Sequence, residues 1–100
     1  MANWHTSREY RYWRVAVIRR DGKCLICGSR KRRQAHHKNS GSYFPLERYD
    51  MENGVTLCYK CHMNFHCNFM TSYRTKCTTY NYDNFVVLAN YMKTIKWIQE

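Results

Sequence analysis

The sequence has no apolar run that approaches the roughly 18 to 20 residues of a membrane-spanning helix. Its first residues, MANWHTSREYRYWR, place no apolar segment ahead of their charges, so we expect neither a secretory signal nor a membrane association. Internal repeats and low-complexity tracts are also missing. With a length of 100 residues, these absences favour a single small intracellular domain that spans residues 1–100.

Acidic residues are scarce, since 7 Asp and Glu stand against 17 Lys and Arg and give a formal net charge of +10. So large an excess on so small a domain favours a polyanionic partner, above all nucleic acid. The alternative is a basic protein that has no such partner. The candidate phosphate contacts are Arg11, Arg14, Arg19, Arg20, Arg30, Lys31, Arg32, Arg33 and Lys38.

Cysteine is the plausible source of extra stability in a chain whose hydrophobic core is marginal at this length. Two Cys-x-x-Cys pairs, Cys24 with Cys27 and Cys58 with Cys61, have the pattern of a structural zinc site with four thiolates. In a reducing compartment such pairs favour a metal, and two disulfides or redox thiols are the alternative. The stretch between the pairs exceeds the roughly 15 to 20 residues of a zinc ribbon, which indicates that the insert has its own task.

Two further cysteines, Cys67 and Cys77, lie outside these pairs. We interpret them as plain, partly buried thiols. The alternative is a second zinc site that they would form together with a histidine.

Hydrophobic periodicity predicts a helix near each end of the chain, at residues 8–20 and at residues 83–98. Trp13 anchors the first helix to the core, with arginines around the rest of its surface. Residues 1–7 are expected to form a loose terminus in which His5 is exposed and binds no metal.

The middle of the chain is predicted to run strand, long loop, strand, helix. Residues 34–37 and the apolar residues 55–57 are the two strands, and residues 59 to about 68 form the helix. Residues 38–49 and 70–82 are predicted loops.

The histidines form a second candidate site. His36 and His37 are neighbours on a strand, so they point to opposite faces, and one can bind a metal while the other faces a substrate. His62 and His66 are one helical turn apart and share a face that suits one ion. Asn53 lies in the loop that leads into the second strand.

These patterns resemble the HNH family of metal-dependent endonucleases, which have the ββα-metal fold. The motif is carried by AHHK at 35–38, ENGVTLC at 52–58 and CHMNFH at 61–66. The surrounding residues look like the small HNH proteins of bacteriophages, including homing endonucleases, and the resemblance covers about residues 8–70 with its core at 21–67. The resemblance implies an α+β fold, namely a small zinc-stapled ββα-metal domain with flanking N- and C-terminal helices. It also implies a phage-encoded protein that is located in the cytoplasm of a bacterial host.

The resemblance also implies a role for each site residue. His37 would be the general base, neutral and close to the ordinary histidine pKa of about 6.5. His36, His62 and His66 would hold one divalent ion, and Asn53 would orient His37 without binding the metal. The ion would be magnesium or manganese, with zinc or nickel as alternatives that suit histidine ligands.

The expected activity is hydrolysis of double-stranded DNA to 5′-phosphate and 3′-hydroxyl ends. We expect a monomer that mainly nicks, with a dimer or an accessory protein partner as the alternatives that would add recognition. The rival interpretation is a non-enzymatic, zinc-stapled DNA-binding or phage DNA-packaging accessory protein. The third interpretation is that the protein cleaves RNA.

Overall fold

The computed structural model describes residues 3–69 and 76–99. These residues form a small α+β fold with three α-helices and a two-stranded antiparallel sheet. The elements in chain order are α1 (Arg8–Asp21), β1 (Arg33–His37), β2 (Gly54–Cys58), α2 (Tyr59–Phe69) and α3 (Thr79–Gln99). The predicted order of helix, strand, strand, helix, helix is therefore confirmed. No described helix is long and apolar enough to cross a lipid bilayer.

Helix α1 is bounded by specific capping residues. The Ser7 side chain accepts a hydrogen bond from the Tyr10 backbone N–H at the start of the helix, and Gly22 ends it in the left-handed conformation (φ 74°). Trp13 and Val17 form its buried face, and the Trp13 indole N–H donates to the Asp50 carbonyl at 2.9 Å. Trp13 therefore fixes the loop that precedes β2 as well as the core.

The sheet lies between α1 on one face and α2 on the other. Its register pairs His37 with Gly54 and His36 with Val55. A side chain at Gly54 would place its Cβ 2.5 Å from Val17 Cγ2 and 2.8 Å from the Trp13 ring. Only glycine therefore lets the sheet approach α1 this closely at the end that carries the two histidines.

Two hydrophobic clusters fill the two sides of the sheet. Trp13, Val17 and Ala35 form the smaller cluster under α1. The larger cluster lies under α2 and α3, and Leu57 and Phe65 are fully buried in it. The cysteines Cys24, Cys58, Cys61 and Cys77 belong to this larger cluster.

Two expectations for the ends of elements are wrong. Residues 4–6 form a 3₁₀ turn (Trp4–Thr6) and not a loose terminus, because the Trp4 ring packs edge-on against His37 at a centroid distance of 5.3 Å. Helix α3 begins at Thr79, four residues earlier than predicted, because the Asn39 side chain accepts from the Thr79 backbone N–H at 2.7 Å. Residues 70–75 of the predicted loop lie outside the described residues.

Two candidate metal centres and a buried histidine

The four sulfurs of the Cys-x-x-Cys pairs converge where the loop after α1 meets the junction of β2 and α2, all within 4.8 Å of one another. Cys27 Sγ lies 3.6 Å from Cys58 Sγ. This separation suits two thiolates on one tetrahedral ion with metal–sulfur bonds of about 2.3 Å. It is much longer than a disulfide bond of about 2.05 Å. The cysteine cluster predicted from the sequence is therefore present, and it could hold a metal ion.

The electrostatics of this cluster favour a cation. Burial raises the pKa of Cys24, but hydrogen bonds from the backbone N–H groups of Cys27, Cys58 and Ile26, together with one from Cys61, bring that pKa down to about 7. Burial raises the pKa of Cys61, and hydrogen bonds with the neighbouring thiols raise it further. Cys24 therefore loses its proton readily, whereas deprotonation of Cys61 is unfavourable. A bound cation would stabilise the additional thiolate and so favour that second deprotonation.

The two remaining cysteines are not part of a metal-binding group among the described residues. Cys67 is exposed. Cys77 is buried, and its thiol donates to the carbonyls of His37 and Lys38 at 3.7 Å each. Both are free thiols, as predicted, but the expectation that they are partly buried is wrong, because Cys67 is exposed and Cys77 is buried.

Three histidines form a second cluster beside the sheet. The ligand atoms of His36, His62 and His66 lie within 4.8 Å of one another. His36 comes from β1, and the other two are one turn apart on α2. The rings of His36 and His62 approach through Nδ1 and Nε2 at 3.1 Å, so both nitrogens face one point between the strand and the helix. A single ion could be held there.

Gln34 is a functional candidate that the sequence analysis missed. Its side-chain oxygen lies 2.6 Å from His62 Nδ1, which must therefore be the protonated nitrogen of that ring. The lone pair of His62 is thereby placed on Nε2, the nitrogen that faces His36. The two-residue spacing of Gln34 and His36 on one strand face was the available signal.

Two of the three clustered imidazoles, His36 and His62, are held neutral. Burial lowers the pKa of His36, and repulsion by His62, His66, His37 and Lys38 lowers it further. His36 Nε2 is buried with no hydrogen-bond partner among the described residues, so a charged ring would be poorly solvated. Burial and then repulsion by His66 lower the pKa of His62 to about 4. Neutral imidazole is the form that binds a metal, so this donor set fits a divalent transition ion.

We expect Gln34→Leu to weaken metal binding at the histidine cluster by about 10- to 100-fold, since the acceptor that fixes the His62 tautomer is lost. Gln34→Glu keeps an acceptor and should bind at least as tightly as the wild type. Manganese titration followed by electron paramagnetic resonance, with the cysteine cluster preloaded with zinc, measures this affinity. Equal manganese affinities of Gln34→Leu and the wild type would contradict the role.

His37 faces the other side of the sheet. Its ring stacks on Trp13, with the centroids 4.0 Å apart and the planes at 10°, and its Nε2–H donates to the Arg48 carbonyl at 2.8 Å. The lone pair is therefore on Nδ1. Burial lowers the pKa of His37 to about 4. The hydrogen bond to the Arg48 carbonyl acts in the opposite direction and raises this pKa, whereas the positive charges of His5 and Arg48 lower it further. The expectation of an ordinary pKa was wrong, because it ignored this aromatic packing.

Asn53 acts on the loop that carries the His37 partner. Its side-chain oxygen accepts from the Asn39 backbone N–H at 2.8 Å, and its side-chain nitrogen donates to the carbonyls of Asn39 at 2.9 Å and Glu47 at 3.2 Å. The buried Asn53 thus ties down both ends of the loop before Arg48. These hydrogen bonds fix the segment whose Arg48 carbonyl accepts from His37 Nε2–H.

A pocket of about 420 Å³ joins the two histidine systems, since His37 and the three clustered histidines all line it. Aromatic side chains of Trp4, Tyr10 and Tyr59 form much of its wall. His5 also lines this pocket, half-buried and stacked on Trp4 at 3.8 Å, so the expectation of an exposed His5 was wrong.

The basic side chains divide into structural and accessible groups. Arg20 pairs with the Asp21 carboxylate at 2.8 Å and donates to the carbonyls of Met51 and Gly54, so it holds α1 to β2. Arg30 donates to the Gly22 carbonyl, and Lys38 lies 5.6 Å from the Tyr82 ring centre. Arg33 also donates to the Gly22 carbonyl, at 2.8 Å, and the Arg32 guanidinium lies 4.0 Å from the Tyr59 ring centre, while both residues are exposed. The other members of the predicted set are exposed: Arg11, Arg14, Arg19 and Lys31.

Comparison with family models, with curated proteins and with solved structures gives no match for this chain. Its function is therefore inferred from the two ligand clusters, His37 and the charge of the surrounding surface.

Proposed function

We propose that this chain is a metal-dependent, HNH-type endonuclease that hydrolyses phosphodiester bonds of double-stranded DNA. The observation that carries the proposal is one pocket in which a cluster of three histidines lies beside His37, a neutral histidine held by a backbone carbonyl. The cysteine cluster is proposed to hold structural zinc. The histidine cluster is proposed to hold magnesium or manganese, with zinc or nickel as alternatives that suit its nitrogen donors.

His37 favours an enzyme over a binding module. A zinc-stapled DNA-binding protein has no use for a histidine whose Nε2–H is fixed by the Arg48 carbonyl next to a cation-binding cluster. A general base needs this arrangement, because one nitrogen must be held while the other carries a lone pair aimed at a substrate.

In the proposed reaction, Nδ1 of His37 removes a proton from a water molecule as the water oxygen forms a bond to phosphorus. The bond between phosphorus and the 3′ oxygen breaks, and that oxygen takes a proton from solvent. The products are a 5′-phosphate and a 3′-hydroxyl, and His37 returns its proton to solvent. Because its pKa is about 4, His37 is unprotonated at neutral pH, and a nearby phosphate anion would increase its basicity.

A divalent ion held by His36, His62 and His66 would stabilise negative charge on a phosphate oxygen and on the departing 3′ oxygen. The chain itself keeps His36 and His62 neutral, and the Gln34 side-chain oxygen fixes the His62 tautomer so that its lone pair lies on the nitrogen that faces His36. Trp13 and Trp4 pack around His37, and together with the hydrogen bond from Nε2 to the Arg48 carbonyl they limit the rotation of its ring.

With supercoiled plasmid and magnesium or manganese, we expect nicked circles to accumulate before linear DNA, because a monomer with one active site cuts one strand at a time. Binding should weaken with salt, at a slope of about −0.9 per phosphate neutralised. Gel analysis, with end mapping by ligation, measures cleavage and the 5′-phosphate. DNA binding without cleavage in magnesium, manganese, zinc or nickel would instead favour the DNA-binding or packaging accessory protein. Linear product without a nicked intermediate would indicate a dimer.

A further inference from the structure

A second pocket, of about 470 Å³, lies next to the histidine pocket. It wraps around the edge of β1, between α1 and the start of α2, and the two pockets share four of their lining residues. The shared residues are Tyr10, Gln34, Ala35 and His62. The second pocket adds Arg14, Arg32 and Arg33, so we call it the arginine pocket.

The charge of the arginine pocket is not neutralised by the protein. No carboxylate lines it among the described residues, and the salt bridge of Arg20 with Asp21 lies outside it. Three guanidinium groups that converge on one concave surface without an acidic partner favour an anion from outside the chain.

Two of these guanidinium groups are held in place by the fold. Arg33 Nη1 donates to the Gly22 carbonyl at 2.8 Å, and the Arg32 guanidinium lies 4.0 Å above the centre of the Tyr59 ring. Arg32 also has a backbone φ of 52°, which is unfavourable outside glycine, and its carbonyl accepts from the Tyr59 N–H at 2.9 Å. A strained, doubly tethered arginine in the pocket lining favours a binding role.

The spacing along β1 suits two successive phosphates. The arginine pocket lies at the Arg33 end of the strand, and His36 and His37 lie at the other. Two residues of a strand, such as Gln34 to His36, advance about 6.6 Å, a distance comparable to one nucleotide step of a DNA backbone. A strand of DNA that follows the edge of β1 would therefore present neighbouring phosphates to the two pockets.

We propose that the arginine pocket binds the phosphate adjacent to the scissile phosphate, on its 5′ side. His37 lines only the histidine pocket, Arg14, Arg32 and Arg33 line only the arginine pocket, and His62 lines both. The attacking and leaving oxygens of a phosphoryl displacement are roughly in line, so the 3′ leaving oxygen faces away from His37. The next phosphate in that direction is the 5′ neighbour. This assignment rests on the proposed nuclease function and adds the register of the substrate.

The test uses a duplex oligonucleotide that contains a cleavage site mapped with the wild-type protein. A neutral methylphosphonate replaces the 5′-neighbouring phosphate. Wild-type cleavage should fall by about 10- to 100-fold, the effect of one lost charge-assisted contact. Arg14→Gln should cut the unmodified duplex more slowly than the wild type by a similar factor. The methylphosphonate should slow this variant only a little further, because the substitution and the modification remove the same contact. Arg14 is an exposed helix residue, so this variant should fold.

The matched control is Arg19→Gln, an exposed arginine on α1 that does not line the arginine pocket. It should keep the full methylphosphonate penalty. Additive penalties in Arg14→Gln, or interference only from the 3′-neighbouring phosphate, would overturn the assignment. Wild-type cleavage of the unmodified duplex reports separately on the nuclease function, so failures of the two proposals are distinguishable.

Discussion

Replacing His37 by alanine is expected to slow DNA cleavage by about 10² to 10⁴-fold, the usual contribution of a general base, while metal and DNA affinities stay close to the wild type. His37 lies on the face of β1 opposite His36, so its loss leaves the histidine cluster intact. A change confined to the rate would separate chemistry from binding. Single-turnover cleavage under saturating protein, together with metal content and DNA affinity, gives the three quantities.

The His37 experiment needs a control for packing, because the ring stacks on Trp13 and alanine would leave a cavity there. His37→Gln fills more of that space without supplying an equivalent base. It should therefore cleave DNA about as slowly as His37→Ala but fold more stably. His5→Ala removes another histidine from the wall of the same pocket and should cut nearly as fast as the wild type. Undiminished cleavage by His37→Ala in magnesium or manganese would rule out the proposed mechanism.

Local spacing made the two ligand clusters predictable from the sequence. Cys58 and Cys61 are three residues apart across the junction of β2 and α2, and His62 and His66 are one turn apart on α2, so short-range geometry brings each pair together. The alternation of a strand places His36 and His37 on opposite faces wherever the sheet packs. In the structure Cys58 and Cys61 lie with Cys24 and Cys27, and His62 and His66 lie with His36, as the pattern predicts.

The features that the sequence did not reveal all depend on long-range packing. The contact between Gln34 and His62 joins a strand to a helix, and glutamine has no strong preference that would mark it as a metal-site residue. The depressed pKa of His37 comes from burial among aromatic rings, including Trp4 from the N-terminal turn. The early start of α3 depends on Asn39, whose side chain accepts from Thr79 across the fold. Periodicity within one segment contains no information about such partners.

Replacing Cys58 by serine is expected to remove the metal of the cysteine cluster and abolish a cooperative unfolding transition. Cys58 ends β2, its Sγ accepts from the Cys61 N–H at 3.4 Å, and it lies 3.6 Å from Cys27 Sγ. The metal would thereby connect the loop after α1 to the junction of β2 and α2. A structural zinc site supplies about 10 to 16 kcal/mol of metal-coupled folding free energy, and loss of one thiolate should remove several kcal/mol of it.

The matched control for this substitution is Cys67→Ser, since Cys67 is exposed and outside both clusters. It should retain one equivalent of zinc and unfold within about 0.5 kcal/mol of the wild type, as expected for a surface change. Zinc content by mass spectrometry and thermal unfolding by circular dichroism separate the variants. A folded, zinc-free Cys58→Ser protein with a cooperative transition would refute the structural role. The histidine cluster is built on the same β2–α2 unit, so Cys58→Ser should also lose manganese binding there, whereas His36→Ala should lose only the manganese and keep the zinc-dependent fold.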